Sequence, residues 1–451
     1  MQADMSFASQ GARNREKRNM DSTIGITDYR CSGKSLSAWS RFVRTLYSQK
    51  IVVGYLLITW VTGILLVFFD INPSRPDEAD HWNRVISILQ GHWIAQSDPS
   101  GSGNYGLIKG DRSFVAFNNT AINSPYTYWP SLLSGGHYRL ASVLTLLLCS
   151  LMIAVAIYLA GDWGNVIFAV AILPTTLISM TFPTSDAVSN ATAFLYIGAV
   201  LYCWQKKVNT WGRILLLTLV GFCLGQAKVT SNVLILLLIP LFFVGPKFDW
   251  RVLIPFVASP LSYLFWSKQI SAIPPSAVIT VKQYHVALAE IVSNPGKTIQ
   301  SLLVTFVNPM DMVKDPLNTA RNIQFATGSG NTQLPWTVML PVFIAVFLIF
   351  TVEIPACGFL QKGITLGTVV AFYAVTVVGM IASWGNPVPG GYAGGLQNRY
   401  FIPMLPLLGL LLPAFGLKVD NKKKAWLFIW CCIIWTYVGL LIAHLMSWPV
   451  R

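Results

Sequence analysis

The chain has 451 residues, of which 54% are hydrophobic and only 11% charged, and its mean hydropathy is +0.55. Soluble domains carry about 25% charged residues, so a soluble enzyme, a disordered chain and a fibrous protein are excluded and most of the polypeptide must face lipid. The charge is lopsided, 32 basic against 18 acidic residues for a net +14, a surplus that suits nucleic acid, anionic headgroups or membrane topology according to where the basic residues sit.

Residues 1–50 are polar, hold Arg13, Arg15, Lys17, Arg18, Arg30, Lys34, Arg41, Arg44 and Lys50, and lack the apolar core of a cleavable signal. They read as a basic cytoplasmic tail, expected to be disordered. From Ile51 to Phe69 an unbroken apolar run is long enough to cross about 30 Å of hydrocarbon at about 1.5 Å per residue. Ten further runs follow near 139–160, 164–183, 187–204, 214–227, 231–245, 252–267, 336–352, 364–383, 399–417 and 425–446. Threading the chain through them alternately places 19 of the basic residues and eight of the acids inside, net +11, against +3 outside. The basic surplus is thus a topology signal, and nucleic-acid binding is disfavoured.

The expected fold is an all-α polytopic membrane protein of about eleven transmembrane helices over 51–446. Two long extracytoplasmic loops, 70–138 and 268–335, are expected to bear interfacial helices, and a short third loop spans 384–398. None of the seven cysteines falls in an outer loop, so neither a disulfide framework nor a paired-cysteine metal site is expected.

The chemistry-bearing residues gather in the outer segments. Ser74-Arg75-Pro76-Asp77-Glu78-Ala79-Asp80-His81-Trp82-Asn83-Arg84 follows the first run. Trp82, Val85, Ile86 and Leu89 at helical spacing form an apolar side able to lie on the membrane interface, with Asp77, His81 and Arg84 opposite. Ser74 to Asp77 also fits a capping box, which would leave Asp77 only a backbone role; the crowding of Asp77, Glu78 and Asp80 beside lipid argues for catalysis instead. Asp186, in Thr184-Ser185-Asp186, is either a helix cap or a functional acid near hydrocarbon. Lys228 is a snorkelling lysine or a phosphate contact, and it has no charge close in sequence to pair with. Arg399, in Gly394-Gly395-Leu396-Gln397-Asn398-Arg399-Tyr400-Phe401, is an interfacial anchor or a fork for phosphate oxygens. Aromatic residues of the first loop, Tyr126 among them, are an interfacial belt or stacking platforms for sugar rings. Asn118 and Asn190 begin glycosylation sequons, a weak signal.

Taken in order, Pro76-Asp77-Glu78 with His81, Asn123-Ser124-Pro125-Tyr126 with Tyr128-Trp129-Pro130, Ser185-Asp186-Ala187, Lys228, and Gln397-Asn398-Arg399-Tyr400-Phe401 resemble a bacterial family of predicted multispan membrane proteins of unknown function, over about residues 50–415. That family in turn looks like a branch of the GT-C glycosyltransferases, and its first-loop acids resemble those of protein mannosyltransferases. This chain carries Asn398 where the family usually has glycine. The resemblance implies an enzyme of the bacterial inner membrane with an extracytoplasmic active site. It would move a sugar from a polyprenyl-phosphate carrier to a glycan acceptor, with inversion. Asp77 is then the base with Glu78 beside it, and Arg399, Lys228 and His81 hold the donor phosphate. Asp186, Arg84, Tyr126, Gln397 and Tyr400 contact substrate. No metal or other cofactor is expected; the partners are the lipid-linked sugar, the acceptor and membrane lipid. The rival readings are a flippase or transporter of lipid-linked sugars and a noncatalytic scaffold.

Overall fold

A backbone inside hydrocarbon can satisfy its N–H and C=O groups only within itself, and each apolar run folds as helix wherever it is described. The computed structural model describes residues 38–70, 77–307, 336–352, 354–384, 390–412 and 421–445, with side chains from Lys50 onward except at 336, 352 and 398. Among the described residues five helices are long and apolar enough to cross a membrane: Lys50–Phe69, Tyr138–Leu159, Ser185–Lys206, Phe359–Ser383 and Lys422–Leu445. Gly161–Ala171 and Pro174–Met180 make a sixth if taken together, bent by 79°, with Pro174 starting the second half where a missing N–H costs nothing. The other runs are shorter helices, Trp211–Gln226, Leu253–Gln269 and Trp336–Val352, and the 3₁₀ segments Val229–Phe243 and Asn398–Met404, the latter continuing into Leu405–Leu411. The first helix begins at Ala38, so residues 38–50, expected within a disordered tail, are helical.

Exposed apolar side chains mark the outward faces. Val53, Leu57, Val61, Ile64 and Phe68 recur three or four residues apart along the first helix, and all are exposed, as suits a stripe against lipid. Ser185–Lys206 is the opposite case, with 89% of its apolar window buried against 33% for Lys50–Phe69. Small residues let its neighbours close on it: a Cβ on Gly198 would lie 2.6 Å from the Ala156 carbonyl oxygen, the close backbone approach that membrane helices use in place of a hydrophobic drive.

The loops bond in two groups. In one, Trp163 donates to the Pro355 carbonyl at 2.9 Å, and Asn209 donates to Asp249 at 2.9 Å. In the other, Asn123 donates to Ser185 at 3.2 Å, Ser124 to Gln226 at 2.9 Å and Trp266 to the Ile122 carbonyl at 2.8 Å, while His444 meets Asp70 at 3.2 Å.

The first outer loop contains more than helices. Strands β1 (Gln96–Ser97), β2 (Tyr105–Ile108) and β3 (Phe114–Ala116) form a small antiparallel sheet with Gly106 opposite Gln96 and Ala116. Its apolar side packs Ala95, Leu107, Phe117 and Ala121 with Ile273 of the second loop. Glu78–Leu89 lies against this assembly: Val85 and Ile88 pack with Tyr128, Trp82 and Leu132, and Ile86 joins the sheet. The apolar side expected on the membrane interface is therefore spent on protein, and only Leu89 of that set is exposed.

Candidate functional site

Asp77 stands at the start of Glu78–Leu89 in a left-handed conformation, φ 54 and ψ 21, and its side chain makes no capping bond. A non-glycine residue there costs about 1 kcal/mol, although Asp is among the residues that tolerate it best. Its backbone oxygen accepts from His81 N at 2.9 Å. The carboxylate is left to reach Arg399, whose Nη2 lies 3.5 Å from Oδ2. Ser74, the other half of the expected capping box, lies outside the described residues.

Asp186 is freed in the same way. Thr184 is the N-cap of Ser185–Lys206, its hydroxyl accepting from Asp186 N at 3.2 Å, so the Asp186 carboxylate need not serve the backbone. Lys228 pairs with its Oδ1, and Arg399 Nε lies 3.1 Å from its Oδ2. The second contact is an ion pair without hydrogen-bond alignment, since Arg399 Nε is buried and unbonded. Both cations also sit by the Tyr400 ring, Lys228 Nζ 4.5 Å and Arg399 Cζ 5.6 Å from its centroid, within cation–π reach. Lys228, expected to lack a partner, thus finds one 42 positions away through the fold. Two carboxylates and two cations balance to zero formal charge.

His81 is enclosed by hydroxyls. Nδ1 lies 2.7 Å from Tyr128 Oη and Nε2 3.2 Å from Thr184 Oγ1, while Asn123 donates to Tyr128 Oη at 3.1 Å. Burial pushes its pKa down to about 4, against the pull of Asp186 and Asp77. Both ring nitrogens are engaged by these hydroxyls, and the lowered pKa favours a neutral imidazole at physiological pH. Burial, with Asp77 adding repulsion, pushes Asp80 up to about 6.

Other expected residues lie elsewhere. Glu78 accepts from the Tyr138 hydroxyl, while Asp77 reaches Arg399. Arg84 is fully buried and donates to the carbonyls of His92 (3.1 Å), Trp93 (2.6 Å) and Asn123 (3.2 Å). Burial lowers its pKa to about 10, which leaves it a cation that ties loop carbonyls together. The Tyr126 hydroxyl lies 2.8 Å from Thr192 Oγ1, against the buried helix. Gln397 keeps a buried, unbonded Oε1 just before Arg399. The turn ahead of it needs glycine at 395, where φ is +70 and a Cβ would lie 2.4 Å from the Trp384 ring.

Beside these charges lies a small cleft lined by Thr175, Ser179, Thr184, Asp186, Asn190 and Arg399 among others. Its floor thus combines one cation, one carboxylate and several neutral donors. Among the described residues no three His, Cys, Asp or Glu side chains converge as a metal site would require.

The chain belongs to the family described as Predicted membrane protein (DUF2142), whose model matches residues 107–408. No curated protein matches it. The matched span holds Asp186, Lys228, Gln397, Arg399 and Tyr400, while Asp77, Glu78, His81 and Arg84 precede it. Membership gives a membrane protein and no chemistry, so any chemistry must rest on the cleft. The polar residues that sequence reasoning passed over there are Thr175 and Ser179; hydroxyls inside apolar runs give no signal of which side they face, while Thr184 entered only as the neighbour of Asp186 and Asn190 only as a sequon.

Proposed function

We propose that this is an inverting glycosyltransferase of about eleven spans and GT-C-like architecture, facing the extracytoplasmic side of the bacterial inner membrane and using a polyprenyl-phosphate sugar. The observation that carries the reading is the meeting of Asp77 with Arg399, and of Arg399 and Lys228 with Asp186, from four stretches far apart in sequence, beside a cleft that Asp186 and Arg399 line. The two loop groups support the topology, because each joins only loops that alternate threading assigns to one side. In the proposed reaction Asp77 takes the proton of an acceptor hydroxyl. That oxygen attacks the anomeric carbon from the face opposite the carrier, and the carbon–oxygen bond to phosphate breaks with its electron pair going to the phosphate. Arg399 and Lys228 stabilise the charge that grows there, which is where fixed cations contribute most. Asp186 holds the two cations in place until the phosphate shares them. Since the cations already meet the leaving group's charge, transfer should persist in the presence of a chelator.

Purified protein in lipid, given a polyprenyl-phosphate sugar and envelope glycan fragments, tests this. Asp77→Asn keeps a residue that tolerates the left-handed backbone and should lower transfer by about 10²- to 10⁴-fold, the usual worth of a positioned base, with donor binding retained. Transfer at the wild-type rate by a folded Asp77→Asn protein would remove Asp77 from catalysis. Movement of intact lipid-linked sugar across the bilayer with no bond broken would establish the flippase reading instead.

A further inference from the structure

The helix Pro295–Val307 has its polarity reversed relative to a helix in water. Ser301 is 0% exposed and Thr305 2%, and their hydroxyls accept from the backbone N–H of Gly390 at 2.6 Å and Ala393 at 3.1 Å. On the opposite side Ile299, Leu303 and Phe306 follow one another at helical spacing, 56%, 59% and 67% exposed. A helix on a water-facing surface turns its apolar side inward; this one turns it out.

The depth of the helix is set by a neighbour. The Tyr373 hydroxyl donates to the Leu302 carbonyl at 3.0 Å, and its ring meets Phe306 edge-on with centroids 5.8 Å apart. Tyr373 stands ten residues before the end of Phe359–Ser383, at the end of that helix nearest Gly395 and the site. Ten residues are about 15 Å at the α-helical rise, roughly half of a 30 Å hydrocarbon core. The exposed residues change along the helix in the same sense: Lys297 and Gln300 come first, and Leu303, Phe306 and Val307 last. A helix that enters lipid from the polar side needs that order.

We propose that Pro295–Val307 is a re-entrant membrane helix, with Ile299, Leu303 and Phe306 lying against lipid chains of the leaflet on the side of the site. Part of the loop 268–335 is then inside the membrane and not above it. The helix also joins lipid to the site wall, because Tyr373 stacks on Phe401 at 5.9 Å, two residues beyond Arg399. This inference does not depend on sugar transfer, and either can fail without the other.

The test is collision accessibility of nitroxide labels on the full chain in liposomes, with native cysteines replaced by alanine. Labels at Leu303→Cys and Phe306→Cys should collide with oxygen and be shielded from an aqueous nickel chelate, and the label at Lys297→Cys should show the reverse. The depth at Phe306→Cys should fall within about one helical turn, ~5 Å, of that at Val370→Cys, an exposed position of the neighbouring helix. Access of nickel to Leu303→Cys would place the helix in water and overturn the proposal. Shielding from both reagents would mean that protein covers the face, such as a second copy, and would overturn it equally. Should a labelled variant fail to fold, photolabelling of the unaltered chain by a diazirine carried on a lipid tail decides the matter, since the 299–307 peptide must then be modified.

Discussion

Two charged clusters join separate loops of this protein, and they are built differently. Asp249 and Arg251 stand two residues apart, face each other through two 2.8 Å contacts, and share Asn209, which donates to the carboxylate at 2.9 Å and accepts from Arg251 at 3.0 Å. Asp249 also caps the turn Trp250–Val252. Each group there has well-aligned partners, and the cluster reads as a staple between loops. Asp77, Asp186, Lys228 and Arg399 come from four stretches, with Arg399 and Asp77 separated by 322 positions. They balance in charge, yet one contact is 3.5 Å long and Arg399 Nε is unbonded. A staple uses up its hydrogen-bonding capacity, whereas a site keeps some in reserve beside an open space, and it is the second cluster that contributes Asp186 and Arg399 to the lining of the cleft.

The sharpest way to break this comparison is to remove one charge from the second cluster. Among the described residues, Asp186→Asn would take from Lys228 its carboxylate partner and leave Arg399 the 3.5 Å contact to Asp77. Losing one member of a fully buried ion pair costs about 3–5 kcal/mol; these side chains are partly exposed, so thermal unfolding in lipid should show a smaller but clear loss, together with altered donor affinity. A variant as stable as the parent would mean that solvent already screens these charges.

The clusters should also separate by pH. His81 has its pKa lowered from 6.5 to about 4, so the folded state excludes a proton that the unfolded chain takes up; its contribution is full above 6.5 and is lost as pH falls toward 4. Asp80 has its pKa raised from 3.8 to about 6 and works in the opposite sense, contributing fully below 3.8 and losing that contribution as pH rises through about 6. The two oppose each other between about 4 and 6. Asp249, held down to about 2 chiefly by its bond with Arg251, acts lower, losing its contribution as pH falls from 3.8 toward 2. Asp80→Asn should therefore steepen the loss of stability on acidification from 6.5 to 4 and leave the region below it alone. An unchanged slope would show that Asp80 does not oppose His81.

How far the site was legible in sequence follows from the reach of each signal. Asp77, Asp186, Lys228 and Arg399 stand out singly, because charge beside hydrocarbon is costly wherever it lies. Their mutual arrangement does not, since helical spacing relates only neighbours three or four apart and the pairs here span from 42 to 322 positions. Arg84 shows the converse failure: its spacing from Asp77 and His81 is right for one helix face, but the loop at His92 and Trp93 folds over that face and offers its carbonyls. The sheet was missed because its strands are two to four residues long, too short for alternation to register. The apolar runs and their helical state were plain, since lipid leaves the backbone no other choice; the bend at Pro174 and the reversed polarity of Pro295–Val307 were not, because each depends on which neighbour a helix meets.

The smallest effect belongs to the staple. Arg251→Lys keeps the charge but gives up the planar fork that meets both Asp249 oxygens, and it also loses the bond to the Asn209 carbonyl. Asp249 would retain its capping role and its bond from Asn209, so no buried charge is stranded. The expected result is a small drop in melting temperature, well below that of Asp186→Asn, with donor binding and transfer both unchanged. A loss of transfer in Arg251→Lys at unchanged stability would couple the two loop groups across the helices between them, and the staple would then have to be counted as part of the working machinery.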